Sequence, residues 1–215
     1  MLTADLGKGM GMHMKRWFLF LAMATRLYGQ DLEAQNVPQN VINSAVAAVE
    51  SLGKEVVLGK YQVAIDKMYP QWKERTAKKM GGKEKLEKQL EDVAKEMLKR
   101  GISITDFKPL GKPNAFEVYP GKASQIIDGK ETEVMRYTKW LVLVPTVTRV
   151  RMLIDGDPVP LIYESRGFQV AISDKGSNEW FFIDGSAVTV NELRSLFITL
   201  PENLELPVLE KKQIK

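Results

Sequence analysis

At Gly101 the hydrophobic pattern changes period, and that change constrains the fold more than any other feature of the chain. Before it, apolar residues recur three and four positions apart; after it, they alternate. A helix buries a stripe and a strand buries one face, so helices made first must be laid on a sheet completed later. The expectation is an α+β fold in which N-terminal helices pack on a strongly curved antiparallel sheet of about six strands.

Over 41–52, Ile42, Ala45, Val46, Val49 and Leu52 fall on one helical face, and Pro38 stands near the start, where its missing N–H is harmless. Gly53 and Gly59 mark the end of that helix or a break in it. Val63, Ala64, Ile65 and Met68 predict a short helix over 61–68, stopped near Pro70. A third covers 72–80 and ends at Gly81-Gly82. The longest stripe lies in 83–100, where Leu86, Leu90, Val93, Ala94, Met97 and Leu98 keep to one side over several turns. Lysines and glutamates are interleaved over the rest of that helix, as on a solvated face with local ion pairs.

Beyond Gly101, Ile102 and Ile104 alternate with Ser103 and Thr105, and 114–119 is a short β-compatible run between prolines. Runs 124–127 and 134–144 flank Asp128-Gly129, and runs 147–154 and 159–165 flank Asp155-Gly156-Asp157-Pro158; both spacers read as hairpin turns. Phe168, Val170 and Ile172 continue the alternation, 174–176 turn the chain, and 180–183 form a last apolar strand. Pro145 cannot donate to a ladder, so it marks an edge, a bulge or the bend of a curved sheet. Thr189-Val190-Asn191-Glu192 has the capping-box form and opens a short helix bounded by Pro201. The tail reads as an extended strap whose Leu204, Leu206 and Val208 touch the body, with a loose end.

Lys15 and Arg16 followed by the apolar run 17–24 form the pattern of a secretory signal peptide. The run is far below the ~20 residues that cross a bilayer as a helix, and Arg26 closes it. Cleavage is expected near Gly29, or after Ala24, leaving an exported chain, periplasmic or secreted, with no stable membrane span. A buried amphipathic first helix is the other reading of this segment. The domain organisation is then 1–29 as upstream residues and signal peptide, 30–200 as a single α+β domain, and 201–215 as the extended tail.

Discarding 1–29 removes Lys8, Lys15, Arg16, Arg26 and Asp5, so the formal charge of +4 falls to +1. A nucleic-acid partner needs a concentrated positive field, and none is expected. His13, the sole histidine, is also lost, and the chain has no cysteine. Residues 30–215 therefore cannot run a Ser-His or Cys-His mechanism, and a metal would need oxygen ligands. Asp155 and Asp157 come nearest to such a set, but the hairpin explains both. No cofactor, metal or catalytic residue is assigned.

Three stretches carry a resemblance. They are Gly59-Lys60-Tyr61 leading to Met68-Tyr69-Pro70; Met80-Gly81-Gly82-Lys83 at the start of the long helix; and 178–185, followed by 193–197 and Leu204-Glu205-Leu206-Pro207. With the order of elements, they resemble exported bacterial members of the nuclear transport factor 2-like superfamily over most of 40–208. The resemblance implies a cone-shaped, cystatin-like α+β fold and a homodimer through the outer sheet face. That superfamily holds isomerases, dehydratases and cyclases beside non-catalytic modules, so fold alone does not choose a function. Its dehydratase pattern uses histidine, which 30–215 lack, and no Asp or Glu here aligns with the isomerase base.

Tyr69, Trp72, Tyr137, Tyr163 and Trp180 are the candidate walls of a hollow between helices and sheet, suited to a small apolar ligand; ordinary core, with hydroxyls satisfied at the surface, is the simpler reading of them. Arg149, with Arg136, Arg151, Glu164 and Arg166, faces either that hollow or solvent. Asp184 is either a carboxylate at its mouth or a turn residue before Gly185. Two functions follow. One is an exported non-catalytic module binding a small apolar molecule, a polypeptide or a second copy of itself. The other is a lyase- or isomerase-like enzyme pairing a buried carboxylate of raised pKa with a tyrosine as acid and base.

Overall fold

In the computed structural model the described residues are 37–120, 123–134, 137–154 and 157–214. The expected signal peptide, residues 30–36, Arg136, Asp155 and Gly156 lie outside them. Four helices, α1 (Gln39–Val57), α2 (Gln62–Asp66), α3 (Pro70–Met80) and α4 (Lys83–Lys99), come first. The strands β1 (Ile102–Pro109), β2 (Asn114–Val118), β3 (Ala123–Ile127), β4 (Lys130–Val134), β5 (Lys139–Ile154), β6 (Asp157–Asp174) and β7 (Phe181–Asp184) follow, then α5 (Val190–Leu196) and a last strand β8 (Glu210–Gln213). The class is α+β, with a six-stranded antiparallel main sheet.

β5 and β6 form the spine of that sheet, paired from Lys139 opposite Asp174 to Met152 opposite Leu161. β1 and β2 share the far edge of β5, one after the other, and β7 and β8 share the far edge of β6. The run 134–144, read above as one strand, is two. Residues 130–134 pair with β3 in a separate hairpin, turned by Asp128 (φ 51°) and Gly129 (φ 74°), and β5 begins only at Lys139. Burial explains the split: Leu141, Val142, Leu143 and Val144 are all buried and need cover on both faces, whereas Lys130 to Glu133 are exposed.

The sheet is not strongly curled, contrary to the expectation of strong curvature. Bulges are what bend a ladder sharply, and β5 runs against β6 without a register shift until Met152. Pro145, expected at an edge, a bulge or a bend, sits in a central strand. β1 ends opposite Thr146 and β2 starts opposite Leu143, so Pro145 occupies the seam between them. Its carbonyl accepts from the Leu110 N–H at 2.9 Å, which places its nitrogen on that same side, where no ladder donor is required.

Gly53 does not end α1. An ideal Cβ at this position would lie 2.1 Å from Phe107 Cδ1 on β1, so glycine lets the helix continue while its backbone meets the ring. Val142, Val144, Ala171 and Phe182 bury that face of the sheet against Ala45 and Val49 of α1. On the opposite face Leu143, Val170 and Ile183 meet Leu193, Leu196 and Phe197 of α5 and the loop after it. The capping box opening α5 is complete: Thr189 Oγ1 accepts from Glu192 N–H at 3.3 Å, and Glu192 Oε2 accepts from Thr189 N–H at 3.0 Å. In the tail Leu204 is buried and Leu206 packs on the core, but Val208 is 78% exposed, not in contact with the body as expected. The end is tied instead by backbone pairing of β8 with β6, from Glu210 opposite Arg166 to Gln213 opposite Tyr163. No described helix is long and apolar enough to cross a membrane.

Candidate functional site

Alternation on the paired strands fixes what lies beneath the helices. On the face covered by α1, β5 presents Val142 and Val144 and then Thr146 and Thr148. Opposite them β6 presents Ala171, Gln169, Gly167 and Ser165. The floor therefore passes from apolar to polar along the same two strands. α1 covers the apolar end, and α4 extends the layer while packing chiefly on α3 and β1.

α4 is poorly covered for its length. Leu86 is buried, but Val93 is 52% and Leu98 62% exposed. A hollow of about 680 Å³ opens beneath it, walled by Leu52 and Val56 of α1, Ile65 of α2, and Trp72, Leu90 and Val93. Ile104, Phe107 and Phe182 close it on the sheet side. The wall is mainly apolar and the hollow is half-enclosed. Close-packed interiors leave few voids larger than a water molecule, whereas small-molecule sites run to roughly 300–1,000 Å³.

Both carboxylates on the rim are engaged. Asp184 accepts from Ser186 N–H at 2.8 Å through Oδ1 and from Gln169 Nε2 at 3.3 Å through Oδ2. Glu192 is held below the usual carboxylate range, first by the Thr189 N–H and then by Lys79, whose Nζ lies 3.2 Å away. Tyr61 lines the hollow, but among the described residues no rim carboxylate hydrogen-bonds to it. No group of three or more acidic side chains among the described residues is close enough to hold a metal ion.

A second hollow of about 280 Å³ adjoins the first and shares Phe107, Thr148, Gln169 and Asp184 with it. Thr146, Ser165 and Gly167 complete its floor. A third, of about 220 Å³, lies between α1 and the segment before β7.

Of the aromatic candidates, Trp72 is 7% exposed and stands in the wall of the large hollow. Trp180 is buried beside α1, lines the third hollow and donates from Nε1 to Ser44 Oγ at 3.0 Å. Tyr69 lies in the core on the opposite face, its ring centroid 5.5 Å from that of Phe197. Its hydroxyl has no partner among the described residues, and burial pushes it up to about 12, with Asp174 adding to the effect. Tyr137 is 40% exposed and lines none of these hollows. Tyr163 is half-buried under Lys211, whose Nζ is 4.9 Å from the ring centroid. Arg149 lies on the opposite face, with its Nε 3.5 Å from Glu164 Oε2; Lys212 and Arg166 stand 3.7 and 3.8 Å from the other oxygen of that carboxylate.

The structure thus brings Trp72 and Asp184 to one hollow and distributes the other candidates elsewhere. Phe107, Thr146, Thr148 and Gln169 carry the site's character and were not singled out by sequence. Their signal was the change from Val142 and Val144 to Thr146 and Thr148 at constant strand parity. Comparison with protein-family models, with curated proteins and with solved structures gives no match for this chain.

Proposed function

We propose that this chain is an exported, non-catalytic binding module that takes a small apolar molecule into the hollow beneath α4. The observation that carries the reading is the apolar wall around about 680 Å³, bounded on one side by a helix whose own apolar stripe is half uncovered. A ligand there would complete the burial that Leu90 and Val93 lack. The acid–base alternative has less support, because Asp184 and Glu192 already serve a turn and a helix cap. Helices preceding an antiparallel sheet agree with the resemblance to the nuclear transport factor 2-like superfamily, although a sheet that is not strongly curled fits its cone-shaped form less well. Export rests on Lys15-Arg16 and the apolar run after it.

The neutral dye N-phenyl-1-naphthylamine tests the reading. Saturable fluorescence enhancement is expected with residues 30–215. It should be lost in Leu90→Trp, which fills the hollow, while thermal unfolding stays cooperative. Absence of saturable uptake by the parent chain overturns the proposal.

A further inference from the structure

We infer that the second hollow is the head-group subsite of the first, and that the ligand is an amphiphile with a neutral, hydroxyl-bearing head and an apolar body. This deepens the binding reading above and rests on it. The two hollows have Phe107, Thr148, Gln169 and Asp184 in common, so a molecule lying past Phe107 reaches from one into the other. Their linings differ in kind: mostly aliphatic and aromatic side chains under α4, and beyond Phe107 a floor of hydroxyls and an amide with charged side chains around it.

Thr146 is the informative residue. It is only 5% exposed and lines the second hollow. A hydroxyl that faces a hollow offers both a donor and an acceptor to whatever occupies it. Thr148 and Ser165, cross-strand neighbours on the same face, add two more hydroxyls of the same kind. Gly167 keeps the floor open between them, since a Cβ there would meet Leu209 at 3.7 Å and Thr146 Oγ1 at 4.0 Å. Gln169, 8% exposed, turns its amide nitrogen to Asp184.

The floor also selects against charge. It is made of neutral groups, and the charged side chains around it, Asp184, Glu210, Arg166 and Lys211, balance in sign. A carboxylate or ammonium head would be attracted by one pair of these and repelled by the other. A hydroxyl exchanges hydrogen bonds with Thr146 and Thr148 in both directions at no such penalty.

Competition against N-phenyl-1-naphthylamine by 1-decanol, decanoate and decylammonium, on residues 30–215, tests the inference. Decanol should compete at least roughly tenfold more tightly than either charged analogue. The double variant Thr146→Val with Ser165→Ala changes only residues that line the second hollow and not the first; it should weaken decanol by roughly tenfold and leave dye affinity unchanged. Equal competition by all three heads, preference for a charged head, or decanol binding unchanged in the double variant overturns the head-group assignment while the hollow itself stands. Failure of the dye to bind overturns the underlying reading and this inference with it.

Discussion

Replacing Gly53 with alanine sets two effects of opposite sign against each other. In an exposed helix interior the change stabilises by about 0.8–1.0 kcal/mol. Here the added methyl would stand 2.1 Å from Phe107 Cδ1 and 2.9 Å from both Cγ and Cε1, where carbon atoms in contact keep about 3.5–4.0 Å. The ring must withdraw by about 1.5 Å, and with α1 behind it the way out is into the hollow it borders. Overpacking of that size costs about 1–3 kcal/mol. The net expectation is a loss of about 1–2 kcal/mol, read as a lower urea midpoint with unchanged slope. In a Phe107→Ala background the clash is absent and the same substitution should stabilise by about 1 kcal/mol, so a double-mutant cycle should return a coupling of about 2–3 kcal/mol. If Gly53→Ala stabilises the parent chain as much as it stabilises the Phe107→Ala chain, the account of why glycine stands in mid-helix is refuted.

Tyr69→Phe removes a buried hydroxyl with no described partner and should raise stability by about 1 kcal/mol in denaturant melts. Its folded-state pKa, about 12, lies above the unfolded value of about 10. The parent chain should therefore lose about 2 kcal/mol as pH rises from 10 to 12, while below about pH 9 this group contributes almost no slope. The phenylalanine variant should lack that part of the alkaline loss, and melts at pH 9 and 11.5 compare the two. Thr189→Ala breaks the capping box of α5 and should cost about 1 kcal/mol, with a fall in the thermal midpoint. Amide exchange should rank α4 below α1 in protection, because α4 buries only Leu86 fully whereas α1 buries Ala45, Val49 and Leu52; equal protection would contradict its description as a thinly supported cover.

What the sequence reveals depends on how local the cause is. Helical stripes, the Asp128-Gly129 turn and the Thr189-Glu192 box are set by neighbours a few positions apart, and each appears where the pattern places it. Gly53 was misread because its reason is Phe107, 54 positions later, and nothing local distinguishes a glycine that admits a ring from one that ends a helix. Pro145 was misread in the same way, since its tolerance depends on where β1 and β2 stop along β5. β8 left no hydrophobic signal at all: Glu210 to Gln213 are exposed and held by main-chain pairing. Aromatic content pointed to Trp72 but equally to Tyr137 and Trp180, because ring size does not say which hollow a ring borders. The polar floor was readable in principle from strand parity, once β5 and β6 are known to be partners.

Most of β6's outward edge is occupied in two instalments, by β7 over residues 169–172 and by β8 over 163–166. The second instalment is supplied by Glu210–Gln213, well after β6 in the chain, so until it docks a row of main-chain donors and acceptors on β6 stands bare. A nascent or clipped molecule in that condition can recruit a strand from a neighbour, and Lys211 and Lys212 then place positive charge along the finished margin, where a like-charged neighbour is turned away. β8 thus acts as a late-fitted guard against edge-to-edge association, and a chain that lacked it would present that margin of β6 to its neighbours.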